Sequence, residues 1–552
     1  MATDTEVPNW QTRTKQYREE AAAKIPKEWR LDSRFTTDLG PTSERNVLDI
    51  PAQCGLLTAE ELHITEDFDA VALLDKLARG ELTSLAVTIA FSKRAAIAQQ
   101  LTCCLTETFF GQGLERAKYC DAYRAEHKKP IGPLHGLPIS IKDSFDVKGI
   151  ASTIGFVSFL DHGPKNEEST LVTILLDLGA VLYVKTNVPQ SLMTGDSENN
   201  VFLRVLNPNK LCLGAGGSSG GEGALVRMKG SPLGVGTDIA GSIRIPAYVN
   251  GTFGLRPTCH RVPDGGQTGP GRPGNFGISA VAGPLTRSLR DIEAFMSAVL
   301  NYDCWSLDSG IIAAPWRPSP PAAKTNNSNL TIGYLTEDAR LPLHPTVLRT
   351  LKTATTTLSK AGHSVIDLTP QLPPNTINKA LLSAFTNFAM DPTNAVSKQV
   401  TDSGEPFIAS VASASLPELK EFSPDLEDAW RLSVEREEYK ALFQQLFVKN
   451  KLDVLMLPVH ATTAVEHDFY GLPMYTVLGN LVDHPAITLP YLKADKGLDA
   501  EYIRDIKYTP EYKPDRIEGA PCGIQLLGRP MKDEELVRHA QMVADGLGIK
   551  SF

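Results

Sequence analysis

The sequence lacks the features that mark membrane and secreted proteins. It has no run of about 18 apolar residues, so it predicts no transmembrane helix. Its first residues contain no charged start followed by an apolar segment, so no secretory signal is expected. It also lacks a basic excess, because 64 acidic and 55 basic residues give a net charge of −9. This balance argues against nucleic acid or an anionic membrane as the main partner.

Metal-binding and disulfide patterns are also missing. The eight cysteines are scattered without a Cys-x-x-Cys pair, which indicates free thiols in a reducing compartment. We therefore expect a cytoplasmic protein. The eleven histidines contain no His-Glu-x-x-His motif. His460 and His467 lie seven residues apart, and we assign them a structural role rather than a metal site.

The N-terminal part of the sequence predicts helices. Apolar residues recur at helical spacing from Asp67 and stop at Gly80, which favours a first helix there. A second helix is expected from a cap at Thr83 or Ser84 to Leu101, and a third from about Leu114 to Lys128. Residues 1–66 are interpreted as an N-terminal arm and helical extension.

From Gly132 onward, strands alternate with helices. A strand over residues 139–141, a helix over 169–178 and a strand over 181–185 have the rhythm of a parallel β-α-β unit. The alternation resumes after every interruption, so residues 67–552 are expected to form one large α/β domain. Residues 315–329, rich in Pro, Asn and Ser, predict a mobile loop. The polar residues 493–519 predict an insertion.

Two glycine-rich loops between Gly214 and Ala247 each carry a serine, Ser218 and Ser242. Glycine lets the backbone turn left-handed and approach a ligand, and successive backbone N–H groups suit a negative oxygen. Three known glycine-rich motifs resemble these loops in part: a phosphate loop, a dinucleotide fingerprint and a nucleophile elbow. A phosphate loop requires a lysine after the glycines, and a dinucleotide fingerprint requires glycine where Ser219 stands. A nucleophile elbow fits over residues 216–220, but the polar residues before it do not predict the required strand. Plain turns with exposed serines remain a further reading.

Lys142 supplies the base that these serines need. It follows the apolar residues 139–141 at the end of a predicted strand, and a lysine in a dry site loses its charge because burial favours the neutral amine. A neutral amine can accept a proton, and a hydroxyl becomes a nucleophile when a base takes its proton. Lys142, Ser218 and Ser242 can therefore form a proton path without histidine, although a buried lysine is more often a salt-bridged structural residue.

Three segments together resemble the amidase signature family of Ser-Ser-Lys hydrolases. They are Gly-Leu-Pro-Ile-Ser-Ile-Lys-Asp at 136–143, the serine loop at 216–221 and Gly-Thr-Asp-Ile-Ala-Gly-Ser-Ile-Arg-Ile-Pro-Ala at 236–247. The chain from about residue 15 onward is similar to the fungal acetamidases and general amidases of that family. The resemblance implies a single large α/β domain with a twisted, mixed, mainly parallel sheet of about eleven strands, flanked by helices on both faces. It implies no metal or organic cofactor.

The resemblance also implies a role for each matching residue. Ser242 matches the nucleophile, Ser218 the bridging serine, often held by a cis peptide bond, and Lys142 the base. The oxyanion hole matches the backbone N–H groups of Ile239, Ala240, Gly241 and Ser242, and the residues that support the loops match Ser219, Asp238 and Arg244. By analogy, the acyl pocket is lined by Leu192, Met193, Thr194 and Gly195.

One departure from the family pattern concerns the oxyanion loop. Many members carry glycine where this chain has Ala240, and alanine tolerates fewer backbone angles, so the hole could be shifted or narrowed. The expected activity is hydrolysis of a carboxylic acid amide to the acid and ammonia or an amine. Open alternatives are a larger acyl, aryl or specialised-metabolite amide and an amidotransferase-type subunit that needs partner chains. The expected partner is a small-molecule amide, and a homodimer is compatible with the resemblance.

Overall fold

The fold is built on one large sheet. A computed structural model describes residues 9–274, 277–317, 329–413 and 416–550. Thirteen strands are found in this part of the chain: β1 Leu105–Thr108, β2 Pro138–Lys142, β3 Val181–Thr186, β4 Glu198–Asn199, β5 Leu203–Arg204, β6 Leu233–Asp238, β7 Phe253–Arg256, β8 Val281–Thr286, β9 Thr331–Tyr334, β10 Ser364–Asp367, β11 Val454–Leu457, β12 Ala486–Lys493 and β13 Pro521–Leu527. Eleven form the main sheet in the order β1-β3-β2-β6-β8-β7-β12-β13-β11-β9-β10, and β4 and β5 form a separate pair.

Helices flank the sheet. In the described residues they are α1 Trp10–Ala23, α2 Ser33–Thr36, α3 Ile50–Gln53, α4 Ala59–Glu66, α5 Ala70–Arg79, α6 Ser84–Thr102, α7 Phe110–His127, α8 Thr170–Asp177, α9 Gly220–Arg227, α10 Arg244–Asn250, α11 Leu289–Leu300, α12 Pro345–Lys360, α13 Thr376–Phe388, α14 Ala395–Asp402, α15 Ala409–Ser413, α16 Leu426–Asn450, α17 Thr476–Leu481, α18 Lys496–Asp499, α19 Pro514–Ile517 and α20 Asp533–Leu547. The expected α/β domain with an eleven-stranded mixed sheet is confirmed.

Parallel pairing is confined to two blocks of the sheet. β3, β2 and β6 pair in parallel, as do β10, β9 and β11. The pairs from β6 through β8, β7, β12 and β13 to β11 are antiparallel, and so is the edge pair of β1 and β3. The expectation of mainly parallel pairing therefore holds within the blocks and not in the centre. There, β7 and β8 are joined without a helical crossover, so the chain returns beside its own strand in the opposite direction.

The N-terminal helices follow the sequence signals closely. Asp69 caps α5 through its side chain, and Gly80 ends that helix in a left-handed conformation. Thr83 caps α6 in the same way as Asp69. The third helix, α7, begins earlier than the expected Leu114, directly after β1, a short edge strand that the sequence analysis did not predict.

The predicted arm, loop and insertion have different outcomes. Ile25, Val47 and Ile64 belong to the same hydrophobic core as the strands, so the described part of this segment, residues 9–66, packs onto the domain. Most of the predicted mobile loop, residues 318–328, lies outside the described residues. The segment 493–519 connects the antiparallel strands β12 and β13 and contains the short helices α18 and α19. The expected β-α-β unit is present as β2, α8 and β3.

One close approach fixes the helix that carries the first serine loop. α9 starts at Gly220 and packs on β6, and a Cβ atom at Gly234 would collide with the carboxyl group of Glu222 in α9. Glycine at position 234 thus leaves the space that the Glu222 carboxyl group occupies between α9 and the sheet. This contact brings the start of α9 next to the ends of β2 and β6.

Candidate active site

Lys142 ends β2 inside the protein, and its side chain is completely buried. Its Nζ donates hydrogen bonds to Ser218 Oγ and to Thr237 Oγ1, both at 2.7 Å. Burial lowers the pKa of Lys142 to about 7, although the nearby Asp238 and Glu222 act in the opposite direction. An amine that is partly neutral near pH 7 and contacts a serine hydroxyl can act as a general base.

Ser218 lies in the turn that precedes α9. The peptide bond between Gly217 and Ser218 is cis, as the family resemblance implied. A side chain at position 217 would collide with the backbone carbonyl of Thr194, so this turn admits only glycine. The Ser218 side chain is 2% exposed and lies between Lys142 and the second serine loop.

Ser242 lies in the second loop, between β6 and α10, and is the most exposed of the three residues at 8%. Its carbonyl oxygen accepts a hydrogen bond from the Ser219 N–H at 3.1 Å, which holds the two serine loops together. Ser218 and Ser242 both lie in the described part of the chain, and no hydrogen bond joins their side chains. The structure therefore brings Lys142 and Ser218 into contact and leaves the second contact of the expected relay unformed.

The oxyanion loop differs from its expected form at one position. Gly241 has φ +130°, and its N–H donates to Asp238 Oδ1 at 2.8 Å, so this N–H already has an acceptor within the loop. No described residue accepts the N–H groups of Ile239, Ala240 or Ser242. Ala240 has no positive φ, so alanine fits this position without backbone strain.

A buried ion pair holds the loop. Asp238 and Arg244 are both completely buried, and Arg244 Nη2 lies 3.0 Å from Asp238 Oδ1. Arg244 also donates to Asn480 of α17 at 2.6 Å and to Gln525 of β13 at 2.9 Å. Burial alone would raise the pKa of Asp238, but the charge and hydrogen bonds of Arg244 outweigh it and lower the pKa to about 2. The pair thus ties the end of β6 to three other elements.

The predicted pocket residues lie beside the nucleophile candidate. One pocket is lined by Leu192, Met193, Thr194, Gly195, Gly217, Ile239, Ala240, Ser242, Ile245, Phe385 and Pro473. Ser191 and Leu192 have φ values of +75° and +59°, which non-glycine residues seldom adopt. Two pocket residues, Phe385 of α13 and Pro473, were not predicted, because they are far away in sequence and belong to no motif.

An apolar groove borders this pocket, and we call it the outer groove. The two share Met193, Thr194 and Phe385. The outer groove is further lined by Phe388, Val411, Leu416, Leu419 and Lys420. A ligand bound at Ser242 can therefore extend along an apolar surface toward Lys420.

The two histidines singled out by the sequence have separate backbone partners. His460 Nε2 lies 2.7 Å from the Leu472 carbonyl oxygen, and His467 Nε2 lies 2.9 Å from that of Leu211.

Within the described residues, no group of three or more His, Cys, Asp or Glu side chains could hold a metal ion. No helix of the described chain has both the length and the apolar character needed to cross a membrane.

Known proteins similar to this chain are found both by sequence and by fold. The sequence model of the Amidase family matches residues 86–537. An amidase of Gibberella moniliformis (strain M3125 / FGSC 7600) is 39% identical over 541 residues, covering 98% of this chain and 99% of the relative. An acetamidase of Emericella nidulans is 37% identical over 556 residues, covering 98% of each. Among solved structures, fatty acid amide hydrolase is 33% identical with a TM-score of 0.89, covering 98% of this chain and 96% of its own.

The Asp238–Arg244 pair predicts a large effect on stability. Replacing Arg244 with Met leaves the Asp238 carboxylate buried without a cation, so we expect the free energy of unfolding to fall by about 3–5 kcal/mol. Urea unfolding followed by circular dichroism measures this change. The matched control is Arg431→Met, whose partners Asp428 and Glu435 lie at the surface. It should cost no more than about 1 kcal/mol, and equal losses in the two variants would contradict the role assigned to the buried pair.

Proposed function

The chain belongs to the amidase family and is an amide hydrolase, and from this premise we propose that it forms an acyl-serine intermediate on Ser242, with Lys142 as base and Ser218 as proton bridge. The observation that carries the proposal is the 2.7 Å hydrogen bond from the buried Lys142 amine to Ser218. A lysine without a carboxylate in contact, placed against a serine hydroxyl in a dry site, has the arrangement of a base rather than of a structural ion pair.

The proposed reaction moves one proton in and out along the same path. Neutral Lys142 takes the proton of Ser218 while Ser218 takes that of Ser242, and Ser242 Oγ bonds to the amide carbonyl carbon. The proton then returns from Lys142 through Ser218 to the leaving nitrogen as the C–N bond breaks. Water cleaves the resulting ester by the same relay. Substrate binding must close the contact between the two serines, which is open here; catalytic hydrogen bonds often tighten only in the substrate complex.

The negative oxygen of the intermediate needs donors beside Ser242. We assign this role to the N–H groups of Ile239, Ala240 and Ser242, which have no acceptor among the described residues. The Gly241 N–H would serve a different purpose, because its bond to Asp238 fixes the shape of the loop. Prepositioned backbone donors of this kind contribute strongly to acyl transfer.

The proposed substrate carries an apolar group larger than acetyl. The pocket beside Ser242 is mostly apolar, and it shares Met193, Thr194 and Phe385 with the outer groove. The related acetamidase acts, by its name, on acetamide, which has a small acyl group. Fatty acid amide hydrolase acts, by its name, on fatty acid amides, which have long apolar chains. The continuous apolar wall favours an alkyl or aryl amide. A cytoplasmic location is supported by the free state of the eight cysteines.

Removing the nucleophile tests the reaction. Ser242→Ala should lower ammonia release from an amide panel at least about a thousand-fold and abolish labelling by a fluorophosphonate probe, because no acyl-enzyme can form. Lys142→Ala should also be inactive yet folded, as judged by circular dichroism. If Ser242→Ala hydrolyses amides at the wild-type rate, Ser242 is not the nucleophile and the proposed mechanism is wrong. Unfolding of Lys142→Ala would instead indicate a structural lysine, and activity of the chain alone rules out a subunit that needs partners.

The proposed base predicts the direction of the pH profile. Lys142 must be neutral to accept a proton, so kcat/KM should rise with pH through the pKa of about 7 and level off above it. Amide hydrolysis measured from about pH 5 to 9 shows this limb. A rate that falls as pH rises across this range would assign the base elsewhere.

The outer groove predicts which substrates are preferred. Phe388→Ala removes apolar contact area far from Ser242, so kcat/KM for a long-chain amide such as decanamide should fall about ten-fold, with acetamide unaffected. Tyr119→Ala serves as the control, because Tyr119 is an exposed aromatic residue of α7 outside the groove. If Phe388→Ala lowers both substrates equally, the groove does not bind the acyl chain.

A further inference from the structure

One buried carboxyl group beside the relay has no role in the reaction described above. Glu222 lies in the first turn of α9 and is completely buried. Each of its oxygens accepts one hydroxyl: Ser140 Oγ donates to Oε2 at 2.6 Å, and Thr186 Oγ1 donates to Oε1 at 2.9 Å. A buried carboxyl group costs free energy unless its environment satisfies it, so its presence calls for a reason.

Glu222 and Lys142 face one another across the same surface of the sheet. Ser140 and Lys142 are two residues apart in β2, and Thr186 of β3 is paired with Lys142, so these side chains point to the side that carries α9. The space for the carboxyl group depends on Gly234, where any Cβ would collide with Glu222. The sheet is thus shaped to admit a carboxyl group next to the amine.

The other nearby charges are already paired. Asp238, at the end of β6, is held by Arg244. Asp143 follows Lys142 and lies 3.5 Å from Lys185, whose position next to Thr186 in β3 turns it to the opposite side of the sheet. Glu222 has no cation within ion-pair distance among the described residues. Among the charged groups that face Lys142, Glu222 is therefore the one whose ionisation can change with the charge of Lys142.

The two groups influence each other's titration. Burial lowers the pKa of Lys142, and a negative charge on Glu222 counteracts part of that fall. Burial raises the pKa of Glu222, and the two hydroxyl donors and Lys142 counteract part of that rise. The shifts bring an amine and a carboxyl group toward the same pH range, where their protons are lost in coupled steps.

We propose that Glu222 is a positioning residue that sets the basicity of Lys142: the negative charge of ionised Glu222 favours the protonated amine, so that neutral Lys142 accepts the proton of Ser218 more readily. The inference rests on the proposed function, because it acts through the Lys142 base. No atom of Glu222 touches the substrate. Without Glu222, burial alone would make Lys142 a weaker base, and a weaker base gives a slower proton transfer.

The test measures the labelling rate of Ser242 by a fluorophosphonate probe as a function of pH, because labelling needs the relay but no particular amide. In Glu222→Gln, which keeps the shape and removes the charge, the rising limb should move to lower pH by about one unit, become steeper and reach a lower plateau. Thr186→Val removes a donor that stabilises the carboxylate, so its limb should move the same way by less. Glu107→Gln is the matched control, since Glu107 is a buried glutamate of β1 whose partners are Tyr17 and Lys24.

The outcomes separate the inference from the proposed function. An unmoved limb in folded Glu222→Gln, or a loss of rate at all pH values without a shift, would make Glu222 a structural residue and overturn the inference. If Glu222→Gln does not fold, an unmoved limb in Thr186→Val overturns it. Failure of the wild-type chain to label at Ser242 would instead overturn the proposed function itself.

Discussion

The site depends on a lysine amine buried against two hydroxyl groups. A charged ammonium group in an apolar interior needs a close counter-charge, and no carboxylate of the described residues contacts Lys142. Its nearest partners, Ser218 and Thr237, are hydroxyls that can accept or donate, so they satisfy the amine in either protonation state. In the proposed mechanism, this setting lets the amine change its charge in place, which a permanent ion pair would prevent.

The neighbouring ion pair solves the opposite problem. Asp238 and Arg244 are equally buried, but Arg244 keeps Asp238 ionised under all ordinary conditions. A permanent charge can hold a loop in place. The Asp238 carboxylate accepts a hydrogen bond from the Gly241 N–H and so fixes the conformation of the loop that carries Ser242. In the proposed reaction, one end of the sheet thus carries a group that must titrate, Lys142, beside a group that must not, Asp238. The difference lies in the permanent cation in contact with Asp238.

The sequence predicted the parts of the site that are local along the chain. Lys142 follows directly from an apolar strand, and the serine loops are fixed by glycines that leave no room for side chains, so their motifs are legible without a structure. Thr237 was missed because a threonine in a strand carries no signal of its own. Phe385 and Pro473 were missed because they reach the pocket only through the packing of α13 and the segment before α17 on the sheet.

Three features of the structure that the sequence did not predict have a common cause. The antiparallel centre of the sheet and the short edge strand β1 depend on which strands become neighbours, and neighbour choice is a tertiary property that periodicity does not encode. The Gly241 N–H was assigned to the oxyanion hole because the motif suggested it, whereas the orientation of one N–H group depends on the acceptor that competes for it. Here Asp238 is that acceptor, at 2.8 Å.

The architecture separates the reaction from the choice of substrate. Lys142, Ser218 and Asp238 lie at strand ends or at the start of a helix packed on the sheet, where close backbone contacts leave little freedom. The pocket wall comes instead from the turn at 191–195, with its two left-handed residues, and from α13, which is distant in sequence. Substitutions in these walls change the shape of the pocket without touching the hydrogen bonds of the relay. In the proposed mechanism, the same relay can therefore serve acyl groups of different size, with the outer groove rather than the serine loops selecting the amide.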